Sequence, residues 1–228
     1  MTTLGADKTF YIVDFDRTLA DSDKLLEVFI EISQQYVNFP TEQIEAADRD
    51  VKARGDSFDT AGYVRDRLSE DNKLDEWARL EKQFIHESRS FNMMLPHATD
   101  LLDWLKQSGS HYGILTYGNP LWQRLKLTAT GFKHTNHIIL EHKEKGRLVS
   151  SWQQPDGTFQ LPKEFGGIVA GRIVMIDDKA ASFIEFPDST AAKGYWVLDF
   201  AHALPSQLGE VPENVERIGS LEVLLGRL

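Results

Sequence analysis

The chain has 228 residues, 41% of them hydrophobic, with no cysteine and a formal net charge of −10. That length suffices for one large domain or a domain with an insert, and the absent thiols exclude disulfides and cysteine metal sites and suit the cytoplasm. The negative balance argues against a nucleic-acid polymer as partner, since phosphate backbones need a broad basic surface.

The opening MTTLGADK lacks the apolar stretch of a signal peptide, and no later run reaches the ~20 apolar residues of a membrane span. The first predicted element is a buried strand, Phe10–Phe15. It runs into DFDRTLADSD, where Asp14, Asp16, Asp21 and Asp23 crowd together. Carboxylates that close repel one another and are costly to desolvate. Either they cap the following helix or a cation sits among them. Asp21 and Asp23 read as helix caps.

From about residue 22 to 95 no strand pattern occurs. Four helices are expected, at 23–37, 41–54, 58–68 and 74–91, and Pro96 marks the return to a sheet. The RGD tripeptide at 54–56 is read as chance. Arg49, Lys52, Arg54, Arg65 and Arg67 read as a solvated helix surface interleaved with acids. A helix at 98–109 with Gly109 at its end precedes the strand Tyr112–Thr116. A second helix runs from Pro120 to about Gly131. The strands His137–Leu140, Arg172–Ile176 and Tyr195–Leu198 follow. Residues 146–162 suggest a hairpin turning at Pro155-Asp156-Gly157. The tryptophans Trp77, Trp104, Trp122, Trp152 and Trp196 read as packing, and the histidines His97, His111, His134, His137 and His142 lack metal-ligand spacing.

Short apolar strands alternating with helices predict an α/β fold, a doubly wound parallel sheet with right-handed crossovers and an inserted helical domain. The expected boundaries are 1–20 with 96–228 for the sheet domain and 21–95 for the insert. Active sites of such sheets gather at the carboxyl ends of strands. Those ends carry Asp14 and Asp16, then Thr116, then Asp177 and Asp178. An all-oxygen acidic cluster suits a hard cation, and Mg²⁺ fits best because it accepts a few carboxylates, waters and a substrate phosphate.

The stretch Asp14-Phe15-Asp16-Arg17-Thr18 resembles the DxDxT first motif of the haloacid dehalogenase-like (HAD) hydrolases. ILTYGN resembles their second motif and IVMIDDK their fourth, in the right order, with the helical insert where a type 1 cap lies. The resemblance implies a HAD-like, Rossmannoid fold and a Mg²⁺-dependent phosphatase. Asp14 is then the nucleophile that forms an aspartyl-phosphate. Asp16 is the general acid and base, with its backbone carbonyl facing the metal. Thr116 holds phosphoryl oxygens, and Asp177 and Asp178 hold the metal, Asp178 more directly, with Asp14 and Asp16 also in the metal set. A lysine should follow the third strand. Lys143 and Lys145 both qualify, with Lys145 preferred because Gly146 would let it turn inward; Lys163 is a further candidate. Arg17 stands where glycine is common, able to reach a substrate anion or to pair with an acid. The implied substrates are small phosphorylated metabolites such as nucleotides or sugar phosphates. A phosphomutase would use the same residues. A dehalogenase would leave the second aspartate and the acidic pair without purpose. A non-catalytic binding protein is the alternative from another class. The sequence leaves the oligomeric state open.

Overall fold

The computed structural model of the protein describes residues 8–39, 41–53 and 57–228. The RGD tripeptide, including Arg54, and the side chain of Lys52 lie outside the described residues. The chain begins with β1 (Thr9–Val13) and passes into four helices, α1 (Ser22–Ser33), α2 (Thr41–Ala53), α3 (Thr60–Glu70) and α4 (Trp77–Ser88). It continues through α5 (Ala98–Gln107), β2 (His111–Tyr117), α6 (Pro120–Ala129), β3 (His137–Leu140) and α7 (Lys145–Ser151). The remaining elements are β4 (Phe159–Gln160), β5 (Val169–Ala170), β6 (Arg172–Asp177), β7 (Ala192–Val197), β8 (Val215–Ile218) and α8 (Leu221–Leu225).

Six strands form one parallel sheet in the order β3-β2-β1-β6-β7-β8. The order reverses direction between β1 and β6, so the crevice for a ligand opens at their carboxyl ends. Alternation along β1 explains why both faces are covered. Tyr11 and Val13 face a core shared with α1, α4, α5 and α6, whereas Phe10 and Ile12 face a second core with Phe165, Phe183 and Trp196.

The four-helix insert is joined to the sheet by two crossings that hydrogen-bond to each other. Asp21 N donates to Met93 O at 2.9 Å, and Leu95 N donates to Leu19 O at 2.9 Å. Asp21 caps α1 as expected, accepting from Lys24 N at 3.0 Å. The insert leans on α6 through Trp122, whose ring lies 4.8 Å from Phe29 and 5.8 Å from Phe84. Arg49 is exposed, and Arg67 bonds Glu70 at 2.9 Å.

Two expectations need correction. Residues 145–151 form helix α7, not the first arm of a hairpin. A tight turn does exist, with Gly157 N donating to Gln154 O at 2.9 Å and a single bridge between Gln153 and Phe159, but β4 pairs with β5. The apolar residues Leu148 and Trp152 are four apart and fit a helical face as well as an alternating strand. Strand β8 was not anticipated. Its four residues, VERI, bury only Val215 and Ile218, too short a pattern to separate from a loop.

Candidate active site

Asp14 follows β1, Asp177 ends β6 and Asp178 follows it. Val13 pairs in register with Ile176, and Asp14 N donates to Ile176 O at 2.9 Å, so the strand ends are locked side by side. One carboxylate oxygen from each of Asp14, Asp177 and Asp178 lies within 4.8 Å of the others, and all three residues are buried. Lys145, at the start of α7, inserts its ammonium between two of them. It ion-pairs with Asp14 and donates to Asp177 Oδ2 at 2.6 Å. Thr18 Oγ1 donates to the other Asp14 oxygen at 3.0 Å. Asp177 Oδ1 accepts from Ser182 Oγ at 2.8 Å and from Lys179 N at 3.0 Å.

The electrostatics follow from crowding. Burial raises Asp14 most; Lys145 opposes this and the neighbouring Asp177 and Asp178 reinforce it, leaving its carboxyl pushed up to about 7. Asp178 is pushed up to about 6 by burial, with Lys179 lowering it and Asp177 raising it. Lys145 is moved the other way. Burial would lower it, but Asp14 and Asp177 outweigh burial and hold its ammonium charged far above neutral pH.

Asp16 has a different set of partners. Its carboxylate ion-pairs with Lys126 on α6 and accepts from Gln123 Nε2 at 2.6 Å and Ser22 Oγ at 2.5 Å. Burial alone would raise its pKa, but Lys126, Ser22 and Gln123 outweigh burial and hold the carboxyl well below the usual range. The acid trio therefore contains Asp14, Asp177 and Asp178, while the Asp16 side chain joins α6 and the first residue of the helical insert.

Arg17 has φ of 60°, the left-handed region that glycine enters without strain, which explains why this turn favours glycine. Its guanidinium grips Asp23 with two bonds, of 2.6 and 3.2 Å. Thr116 is fully buried one residue before the end of β2, and its hydroxyl has no hydrogen-bond partner among the described residues. Lys143 is exposed, with its ammonium 5.8 Å from the Tyr117 ring, and the Lys163 side chain is 90% exposed. Of the three lysines, only Lys145 contacts the acids. The glycine beside it acts by size. Gly146 has no positive φ; a Cβ there would lie 2.2 Å from Ile184 O, so glycine lets α7 approach closely enough to deliver Lys145.

The acid trio has the chemistry of a site for a hard cation: among the described residues it holds three carboxylates with no softer donor, and a buried Asp178 Oδ1 without a hydrogen bond. A cavity of about 290 Å³ opens onto Asp14, Asp16, Lys145 and Lys179, with Leu26 and Phe58 of the insert on its far side. A larger surface depression, of about 480 Å³, lies near Arg65, Asp66 and Trp77 and contains none of these groups.

Sequence reasoning did not single out Thr18, Ser22, Gln123, Lys126, Lys179 or Gln207. Gln123 and Lys126 sit one helical turn apart just after the second motif, a spacing that places both on one face. Gln207 lies in a loop and carries no pattern.

The model of the family described as haloacid dehalogenase-like hydrolase matches residues 11–147, more than half of the chain. No curated protein matches significantly. Among solved structures, a provisionally assigned haloacid dehalogenase-like hydrolase of Burkholderia xenovorans LB400 is 19% identical. It covers 94% of this chain and 95% of its own, with a TM-score of 0.59. A provisionally assigned β-phosphoglucomutase of Thermotoga maritima is 15% identical over 96% of this chain and 100% of its own, at 0.55. A dehalogenase determined with an intermediate complex is 14% identical over 99% and 98%, at 0.52. At these identities the structures establish a shared fold. No helix among the described residues is long and apolar enough to cross a membrane. With the family match spanning β1 to the start of α7 and the parallel sheet agreeing, the chain belongs to the haloacid dehalogenase-like hydrolases.

Proposed function

We propose that the protein is a Mg²⁺-dependent phosphatase that hydrolyses small phosphate monoesters through an aspartyl-phosphate on Asp14. The observation that carries this reading is the buried trio Asp14, Asp177 and Asp178 with Lys145 set against its first member. The region 1–20 with 96–228 carries the chemistry, and the helical segment 21–95 serves as the cap over it.

In the first step an Asp14 oxygen attacks phosphorus, the ester P–O bond breaks, and Asp16 gives a proton to the departing alkoxide. In the second, Asp16 takes a proton from water as its oxygen attacks phosphorus, releasing inorganic phosphate and free Asp14. Lys145 neutralises charge on the nucleophile, and the unpartnered Thr116 hydroxyl is available to a phosphoryl oxygen. Asp14, Asp177 and Asp178, with the Asp16 carbonyl, would hold Mg²⁺, which would supply the charge that screens phosphate from carboxylate. Asp16 must leave Lys126 to act as an acid, so substrate entry is coupled to a rearrangement at α6. A small soluble metabolite, nucleotide or sugar phosphate, suits a cavity of this size.

The similarity to the provisionally assigned β-phosphoglucomutase of Thermotoga maritima supports a second reading, a mutase using the same residues. A dehalogenase reading leaves Asp16 and the pair Asp177 and Asp178 without a purpose. The test is hydrolysis of p-nitrophenyl phosphate with Mg²⁺, which EDTA and Asp14→Asn should each abolish. Wild-type turnover by Asp14→Asn would sink the assigned nucleophile. Isomerisation of a sugar phosphate dependent on a bisphosphate would favour the mutase, and no turnover across a broad phosphate-ester panel would favour a binding protein.

A further inference from the structure

Asp178 is gripped from outside its own strand, at both its main chain and its side chain. Trp196 Nε1, on β7, donates to the Asp178 carbonyl at 3.0 Å. Gln207, in the turn at Pro205–Gln207 between β7 and β8, donates from Nε2 to Asp178 Oδ2 at 2.7 Å. The Gln207 amide is fixed at its other end too, because Oε1 accepts from Leu204 N at 2.9 Å. Reversing the amide would set oxygen against carboxylate and N–H against N–H, so only one orientation satisfies both partners. Gln207 is buried, which makes an unmade bond there costly. The second Asp178 oxygen, Oδ1, is buried beside the other acids and bonds to nothing among the described residues.

We propose that Gln207 is a positioning residue for the cation site: by tying down Oδ2 of Asp178 it fixes the carboxylate and leaves Oδ1 for the metal. This inference rests on the metal reading given above. A carboxylate wedged beside Asp177 would otherwise rotate away from its neighbour, and the hydrogen bond from Gln207 prevents that. Groups that orient a metal ligand in this way commonly change affinity by about 10- to 100-fold when removed. Both residues that hold Asp178 belong to the β7–β8 region, beyond the part of the chain that matches the family model.

The experiment is Mn²⁺ binding to the full chain, followed by electron paramagnetic resonance and calorimetry and therefore independent of turnover. Gln207→Met keeps the shape and removes the donor; it should weaken Mn²⁺ binding about 10-fold or more, with the metal-free circular dichroism unchanged. Leu204→Pro removes only the N–H that anchors Gln207, at a φ of −74° that proline accepts. It should weaken binding by a smaller factor, and it decides the matter if Gln207→Met does not fold. Wild-type affinity in the folded Gln207→Met protein, or in Leu204→Pro where that variant decides, overturns the proposal and leaves the metal site standing. Absence of Mn²⁺ binding by the wild-type protein overturns both this inference and the metal reading beneath it.

Discussion

Lys126 forms a buried ion pair with Asp16, 110 residues earlier in the chain, and only 4% of the lysine side chain is exposed. The pair ties α6 to the loop after β1. Removing one partner strands the other charge away from water, which typically costs about 3–5 kcal/mol. Lys126→Met should therefore lower unfolding free energy by about that much, and Lys126→Met with Asp16→Asn by clearly less. Urea denaturation of these variants and of Asp16→Asn checks this, and a double-variant loss equal to the sum of the two single losses would show that the charges do not interact.

The acid trio makes the metal-free protein sensitive to pH. Asp14 and Asp178 are raised to about 7 and about 6, so between pH 4 and 7 the folded protein holds more protons than the unfolded chain. Their contribution to stability is present at the acidic side of that window and is lost as pH rises through the folded values. Asp14→Asn and Asp178→Asn should each flatten the slope of the urea midpoint against pH between about 4.5 and 7 relative to wild type. An unchanged slope in both variants would refute the assignment.

Arg17 adopts a left-handed backbone at a cost of roughly 1–2 kcal/mol. Its ion pair with Asp23 has 29% and 64% of the side chains exposed, so it returns only about 0–1 kcal/mol. Arg17→Gly should be neutral or stabilise by about 1 kcal/mol. Arg17→Val, β-branched at positive φ, should destabilise by about 1–3 kcal/mol. Thermal denaturation of the pair gives the sign directly.

Gly146→Ala would place a methyl group 2.2 Å from Ile184 O. Backbone must shift to admit it, at about 1–3 kcal/mol, and the shift moves Lys145 away from Asp14. A fall in melting temperature together with loss of the proposed phosphatase turnover is expected, whereas substitution at exposed Arg147 should alter neither.

Much of this architecture is legible in the sequence because burial is periodic. The runs at 112–116, 137–140 and 172–176 each fall within a strand, those at 10–15 and 195–198 overlap β1 and β7 and run past their ends, and the four insert helices appear where amphipathic patterns place them. Asp14, Asp177 and Asp178 can be brought together by strand-end reasoning alone, since adjacent parallel strands end at one edge. What escapes is either too short or too distant. VERI at β8 offers two buried residues, and the α7 stretch reads as a strand because Leu148 and Trp152, four apart, satisfy both periods. Lys126 and Gln207 reach their partners across 110 and 29 residues, a relationship no local pattern encodes.

The paired crossings at Leu19–Asp21 and Met93–Leu95 have a consequence for how the protein can change. To the sheet, the whole helical segment is a loop whose ends are already stapled together. Closing such a loop costs entropy that grows only with the logarithm of its length. Helices can therefore be lengthened, shortened or exchanged between these two points without altering the register of β1 and β2. The requirement that survives is an apolar surface to meet Trp122, as Phe29 and Phe84 do here. The staple makes the segment a cassette, open to redesign while the acid-bearing edge of the sheet stays still.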